Sequence, residues 1–177
     1  GSSFPSESSS DKRLNVKAIS FFFSGSGTDI LHLNASESFN DTTSHNWKIG
    51  TNSGYIKYDT VIRSGSLEGT TYSSTLSTSN ASYESGVHHC VAQITGGMKQ
   101  LYVDGELISS ESLIITEIRN KSGSDTVVEI PTHCYPHMHQ MSNFRFGKSF
   151  TGYLDEVRLY NRNLSSNEIK TLCTHSS

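Results

Sequence analysis

Val91-Ala92-Gln93-Ile94-Thr95-Gly96-Gly97-Met98-Lys99-Gln100-Leu101-Tyr102-Val103-Asp104-Gly105-Glu106-Leu107-Ile108 is the stretch on which the fold turns. Three β-prone runs are divided by two glycine-bearing pairs. Asp104-Gly105 can hold both residues at positive φ, as a type I′ hairpin turn demands, and Gly96-Gly97 does similar work one strand earlier. Three sequential antiparallel strands follow from local chemistry alone.

The same texture extends in both directions from this hairpin pair. Short β-rich runs broken by Gly, Ser, Asn and Thr predict further strands over Val16–Ser24, Asp29–Asn34, Asn46–Thr51, Gly54–Ile62, Gly86–Thr95, Leu113–Arg119, Asp125–Ile130, Asn143–Gly147 and Gly152–Tyr160. The Ser/Thr/Tyr-rich stretch from Ser64 to Ser85 reads as polar loops over one face. After Asn163-Leu164, Ser165 followed by Glu168 forms a capping box, and Leu164, Ile169 and Leu172 supply one apolar stripe, which predicts a single short closing helical turn. Residues 1–13 read as a disordered leader with a tag remnant, and 14–177 as one domain. The fold class expected is all-β, a two-sheet antiparallel β-sandwich of jelly-roll type.

Composition narrows the function classes. A chain of 177 residues fits one core, and its eight Phe, eight Tyr and single Trp carry much of the burial that a 33% apolar fraction leaves scarce. A net charge of −3 with both signs scattered offers no basic stripe, so neither nucleic acid nor a lipid surface is an expected partner. No apolar run approaches the roughly 20 residues of a membrane-spanning helix. Three cysteines, Cys90, Cys134 and Cys173, permit at most one internal disulfide. Five Asn-x-Ser/Thr sequons start at Asn34, Asn40, Asn80, Asn120 and Asn163, and favour a secreted or cell-surface setting.

Two stretches carry a family resemblance. Gly86-Val87-His88-His89-Cys90-Val91-Ala92 followed by Leu101-Tyr102-Val103-Asp104-Gly105 resembles a hairpin pair of laminin-G-like domains and, more distantly, pentraxins. Phe150-Thr151-Gly152-Tyr153-Leu154-Asp155-Glu156-Val157-Arg158-Leu159-Tyr160-Asn161-Arg162-Asn163-Leu164-Ser165 resembles the C-terminal signature of the same concanavalin A-like group. The resemblance implies a jelly roll serving adhesion or carbohydrate recognition, but no particular ligand. It also implies a cysteine partner for Cys90 on the opening strand, where this chain has Phe21, Phe22 and Phe23, so Cys90 is expected as a buried free thiol. Pentraxin-type paired calcium is not expected, because the corresponding loop, Pro131 to Gln140, is rich in His and poor in carboxylates.

Several residues are candidates for chemistry. Strand alternation places Asp155 on one face with Val157 and Leu159, hence inward, and Glu156 on the other. An inward carboxylate needs compensation. Either Asp155 is a ligand of a structural Ca²⁺, as in related folds, or it accepts backbone N–H bonds. His133, Tyr135, His137 and His139 form a loop lip that suits ligand contact, and with Cys134 they offer nitrogen and sulfur donors for zinc in no recognised spacing. Trp47 is either a stacking platform for a sugar or, alternating with Ile49, a core residue. Of His88 and His89, one is expected to point inward as a satisfied core histidine. The adjacent Asp155 and Glu156 should diverge, no Gly-x-Ser-x-Gly elbow is present, and catalysis is not expected. The reading is a monomeric recognition module of a larger extracellular protein, binding a glycan. The alternatives are a protein–protein or spacer domain of a cell-surface protein and, more remotely, a glycoside hydrolase-like enzyme.

Overall fold

The computed structural model describes residues 14–35, 46–63, 71–95, 97–112, 114–121, 124–131 and 140–174. Its strands are β1 (Leu14–Asn15), β2 (Ala18–Asn34), β3 (Asn46–Asn52), β4 (Tyr55–Arg63), β5 (Thr71–Ser77), β6 (His88–Thr95), β7 (Met98–Val103), β8 (Glu106–Ser112), β9 (Ile114–Lys121), β10 (Ser124–Pro131), β11 (Gln140–Met141) and β12 (Asn143–Tyr160), followed by helix α1 (Ser166–Thr174). All pairings are antiparallel.

Two long strands organise the sandwich. β2 and β12 run side by side from Ala18↔Tyr160 to Asn34↔Asn143. On its other edge, the first half of β2 pairs with β6 and the last four residues pair with β3. One layer is thus β5-β4-β3-β2-β12 and the other β12-β2-β6-β7-β8, with β2 and β12 shared between them. The layers face each other: Lys99 on β7 sends its Nζ to the carbonyls of Tyr58 on β4 and Ser74 on β5.

Separate strands had been expected over 16–24 and 29–34, and over 143–147 and 152–160. Instead each pair is one bent strand, because glycines let the two backbones stay paired through the bend. Gly25 and Gly152 are register partners with φ of 131° and 149°. A Cβ on Gly152 would lie 2.0 Å from the Ser24 carbonyl oxygen, and one on Gly25 would lie 2.2 Å from that of Thr151. Here only glycine fits.

The core lies between the layers. Ile19, Phe21 and Phe23 of β2 and Cys90, Ala92, Leu101 and Val103 of β6 and β7 pack with Leu31, Leu33, Trp47, Ile49, Ile56, Tyr58 and Leu76. Each large side chain so buried contributes about 1.5–3 kcal/mol. The Asp104-Gly105 hairpin takes its expected form, with the two residues at φ 52° and 85°, and at the preceding reversal Thr95 pairs with Met98. β5 corrects the loop expected over Ser64–Ser85. It is an edge strand rich in Ser and Thr with Leu76 buried among its described side chains, too faint a periodicity to read.

The closing helix forms as its capping box dictates. The Ser165 hydroxyl accepts the Glu168 N–H at 3.2 Å, and Glu168 Oε1 accepts the Ser165 N–H at 3.2 Å. Leu164 and Ile169 then cover Ala18, Val91 and Tyr102 on the outside of the second layer.

Candidate functional site

The outer face of the second layer holds a cleft of about 360 Å³ lined by Phe22, Phe23, Ser24, Val87, Tyr153, Asp155 and Glu156. A bulge in β12 builds it. Asp155 pairs with Phe22 and Arg158 with Ser20, so two residues of β12, Glu156 and Val157, stand opposite Phe21 alone. Glu156 takes φ 51°, a left-handed conformation costing a β-carbon-bearing residue roughly 1–2 kcal/mol. The extra residue reverses the alternation of everything before it.

This overturns the inward placement of Asp155. Its cross-strand partner Phe22 lies on the outer face, and Asp155 is exposed, while Leu159 stays inward opposite Ile19. Asp155 and Glu156 were expected to diverge, yet both line the cleft. Asp155 Oδ1 accepts the Glu156 N–H at 2.8 Å, the second of the two roles weighed for it.

Tyr153 and Val87 form the walls. Each is about 70% exposed, at 71% and 70%, far more than large apolar groups elsewhere on the described surface. Behind the floor, the Phe22 ring packs at a tilt of 53° against His89, with ring centroids 4.5 Å apart. His89 is buried on the outer face under Phe22, and its Nδ1 has no hydrogen-bond partner among the described residues, whereas His88, the inward member of the pair opposite Phe23, has both ring nitrogens hydrogen-bonded. Burial lowers the His89 pKa, with Asp104 and Glu156 opposing. His88 fastens the Val87 wall: its Nδ1 lies 2.7 Å from Asp104 Oδ2 and its Nε2 lies 2.8 Å from the Ser85 carbonyl oxygen.

The other candidates fall elsewhere. Trp47, 2% exposed, packs edge-on against Tyr58 in the core, which removes it as a stacking platform. His133, Cys134, Tyr135, His137 and His139 lie outside the described residues. Cys90 is a buried free thiol, its pKa raised by burial. A polar cluster not foreseen from sequence joins Arg145 of β12 to Asp29, with Arg145 Nη2 3.1 Å from His32 Nδ1. It ties β12 to β2 in the first layer. Among the described residues no group of three or more His, Cys, Asp or Glu gathers to hold a metal.

Tyr153, Phe22 and Val87 escaped sequence reasoning because none forms a motif. The one available signal was Gly152-Tyr153, a glycine followed by an aromatic at a strand bend.

A two-layer antiparallel sandwich with both long strands shared and an aromatic cleft on an outer face defines a concanavalin-type β-sandwich. The chain belongs to the concanavalin A-like lectin/glucanases superfamily, whose laminin-G-type profile matches residues 15–170. A search of curated protein sequences gave no match. Among solved structures, the carbohydrate-binding module CBM40 of the Ruminococcus gnavus IT-sialidase, bound to α2,3-sialyllactose, superimposes with a TM-score of 0.59 at 15% identity, covering 92% of this chain and 84% of that one. A heptameric SAP-like pentraxin from Limulus polyphemus does so with a TM-score of 0.53 at 10% identity, covering 92% and 71%. At these identities the likeness is one of fold.

Proposed function

We propose that this chain is a non-catalytic extracellular recognition module that binds a glycan in the cleft beside the β12 bulge. The observation that carries the reading is Tyr153, a 71% exposed aromatic beside Phe22, with carboxylates among the lining. A sugar ring has an apolar face that stacks on an aromatic and hydroxyls that donate to carboxylates, and the cleft supplies both. Its volume is at the lower end of small-ligand sites, about 300–1,000 Å³, which suits a terminal sugar rather than a long chain.

A glycan array followed by calorimetric titration tests this. Tyr153→Ala is expected to weaken the best glycan by at least about tenfold, or roughly 1.4 kcal/mol, while leaving the melting temperature unchanged. Unaltered affinity in Tyr153→Ala, or no glycan bound at all, refutes the assignment. The same titration with Ca²⁺ and with EDTA tests calcium: Asp155 and Glu156 offer the oxygen donors a hard cation takes, and an affinity and melting temperature indifferent to both removes the ion.

A second reading, a protein-binding module, draws on Val87 and Tyr153 as adjacent exposed apolar side chains. A protein partner lost in Tyr153→Ala, with no glycan bound, selects it. Hydrolysis is disfavoured although Asp155 and Glu156 share the cleft. The two are consecutive residues of one strand, whereas glycoside hydrolysis needs carboxylates on either side of the scissile bond.

The extracellular setting yields its own prediction. Asn34 is fully buried, and Asn163 Nδ2 donates to the Ile94 carbonyl at 2.7 Å, whereas Asn80 is exposed. Expressed through a secretory pathway, the protein is expected to carry glycan at Asn80 and none at Asn34. Peptide mass spectrometry reads this directly, and occupancy at Asn34 contradicts its placement.

A further inference from the structure

We infer that the cleft has a proton-sensitive floor: Phe22 stays in place while the imidazole of His89 behind it is neutral, and acidification drives the two rings apart and opens the cleft. Phe22 and His89 are register partners on β2 and β6, with ring centroids 4.5 Å apart, and Phe22 lines the cleft while His89 is 3% exposed. His89 Nδ1 is buried and has no hydrogen-bond partner among the described residues. In the neutral ring that nitrogen leaves one hydrogen bond unmade. In the protonated ring it becomes a charged donor facing no acceptor, and the penalty of keeping it out of water is larger.

The neighbouring charges do not supply the acceptor. Asp104, in the β7–β8 turn, has both oxygens engaged: Oδ1 accepts the His89 backbone N–H at 2.9 Å, and Oδ2 lies 2.7 Å from Nδ1 of His88, the adjacent residue of β6. From β12, Glu156 favours the charged ring and Arg158 opposes it. Burial outweighs both carboxylates and lowers the His89 pKa. The state with Phe22 in place therefore binds a proton less readily than an open one, so falling pH shifts the balance towards the open state. The backbone of His89 is held at both polar groups, since its carbonyl accepts the Asp104 N–H at 2.8 Å. The side chain must do the moving, and its way to water leads past Phe22.

Imidazole and aromatic NMR signals followed from pH 7.5 to about pH 4.5, with circular dichroism confirming the fold at each step, decide the matter. His89 is expected to titrate below its ordinary value of 6.5, and the Phe22 ring signals to move with the same midpoint. A soluble gadolinium chelate is expected to broaden the His89 ring signals in the acid form and to spare them in the neutral one. In Phe22→Ala, which uncovers the imidazole, the His89 midpoint is expected to rise to about 6.5. In His89→Gln the Phe22 signals are expected to stay still across the range. Phe22 signals indifferent to the His89 titration, a His89 ring as shielded in acid as at neutral pH, or a His89 that stays neutral until the whole chain unfolds overturns the inference. None of these measurements involves a ligand, so a protein that binds no glycan still shows the switch, and one with a static floor still leaves the glycan reading standing.

Discussion

Gly152→Ala is expected to abolish stable folding, at a cost of at least about 4 kcal/mol, the range reserved for disruption of a structural element. The added Cβ would sit 2.0 Å from the Ser24 carbonyl oxygen and 2.8 Å from Gly25 Cα, and both are backbone atoms that cannot swing aside. The φ of 149° is also one that side-chain-bearing residues rarely adopt. Because β2 and β12 belong to both layers, parting them at this point unpairs the strands that join the sandwich. Gly147→Ala is the control: its φ is 70°, but nothing lies within 4 Å of the added carbon, so only the left-handed strain of roughly 1–2 kcal/mol applies. Chemical denaturation followed by Trp47 fluorescence measures both. A Gly152→Ala protein within about 1 kcal/mol of the parent would mean that the bend does not hold the layers together.

The second large effect is a rise of about 2 kcal/mol in stability between pH 7 and pH 8.5, abolished by Lys99→Met. Lys99 is fully buried, its Nζ donating to the Tyr58 carbonyl at 2.5 Å, the Ser74 carbonyl at 2.9 Å and the Thr60 hydroxyl at 3.2 Å, and lying 4.3 Å from the Tyr58 ring centre. Burial pushes its pKa down to about 7 from 10.5, with Asp59 and Glu111 opposing. Between those values the unfolded chain binds the proton and the folded chain does not, so stability climbs with pH through this window and is lowest on the acid side. His32 and His89, both lowered chiefly by burial, act in the same direction below their ordinary value of 6.5. The buried Cys90 thiol acts oppositely above its ordinary value of 9.0, which is why the window closes at 8.5. Denaturation midpoints at successive pH values supply the slope. A flat profile in the parent, or the same slope in Lys99→Met, would show that Lys99 keeps its proton in the fold.

The architecture was legible where local chemistry acts over a few residues. Asp104-Gly105 dictates its hairpin through backbone φ, and Ser165 with Glu168 caps α1 through paired side-chain and backbone bonds, all without help from distant residues. β5 was hidden because an edge strand of Ser and Thr owes its state to the ladder offered by β4. Trp47 was undecidable in isolation: alternation with Ile49 gives its face, but which face becomes interior depends on the opposite layer.

Sequence alone determined an all-β chain, its Asp104-Gly105 hairpin and its closing helix, since turn propensity, capping and period-two patterning are local. The cleft was decided only in three dimensions. Asp155 turns outward because one surplus residue in β12 shifts its register against β2, and a register is a relation between two strands that neither strand carries by itself.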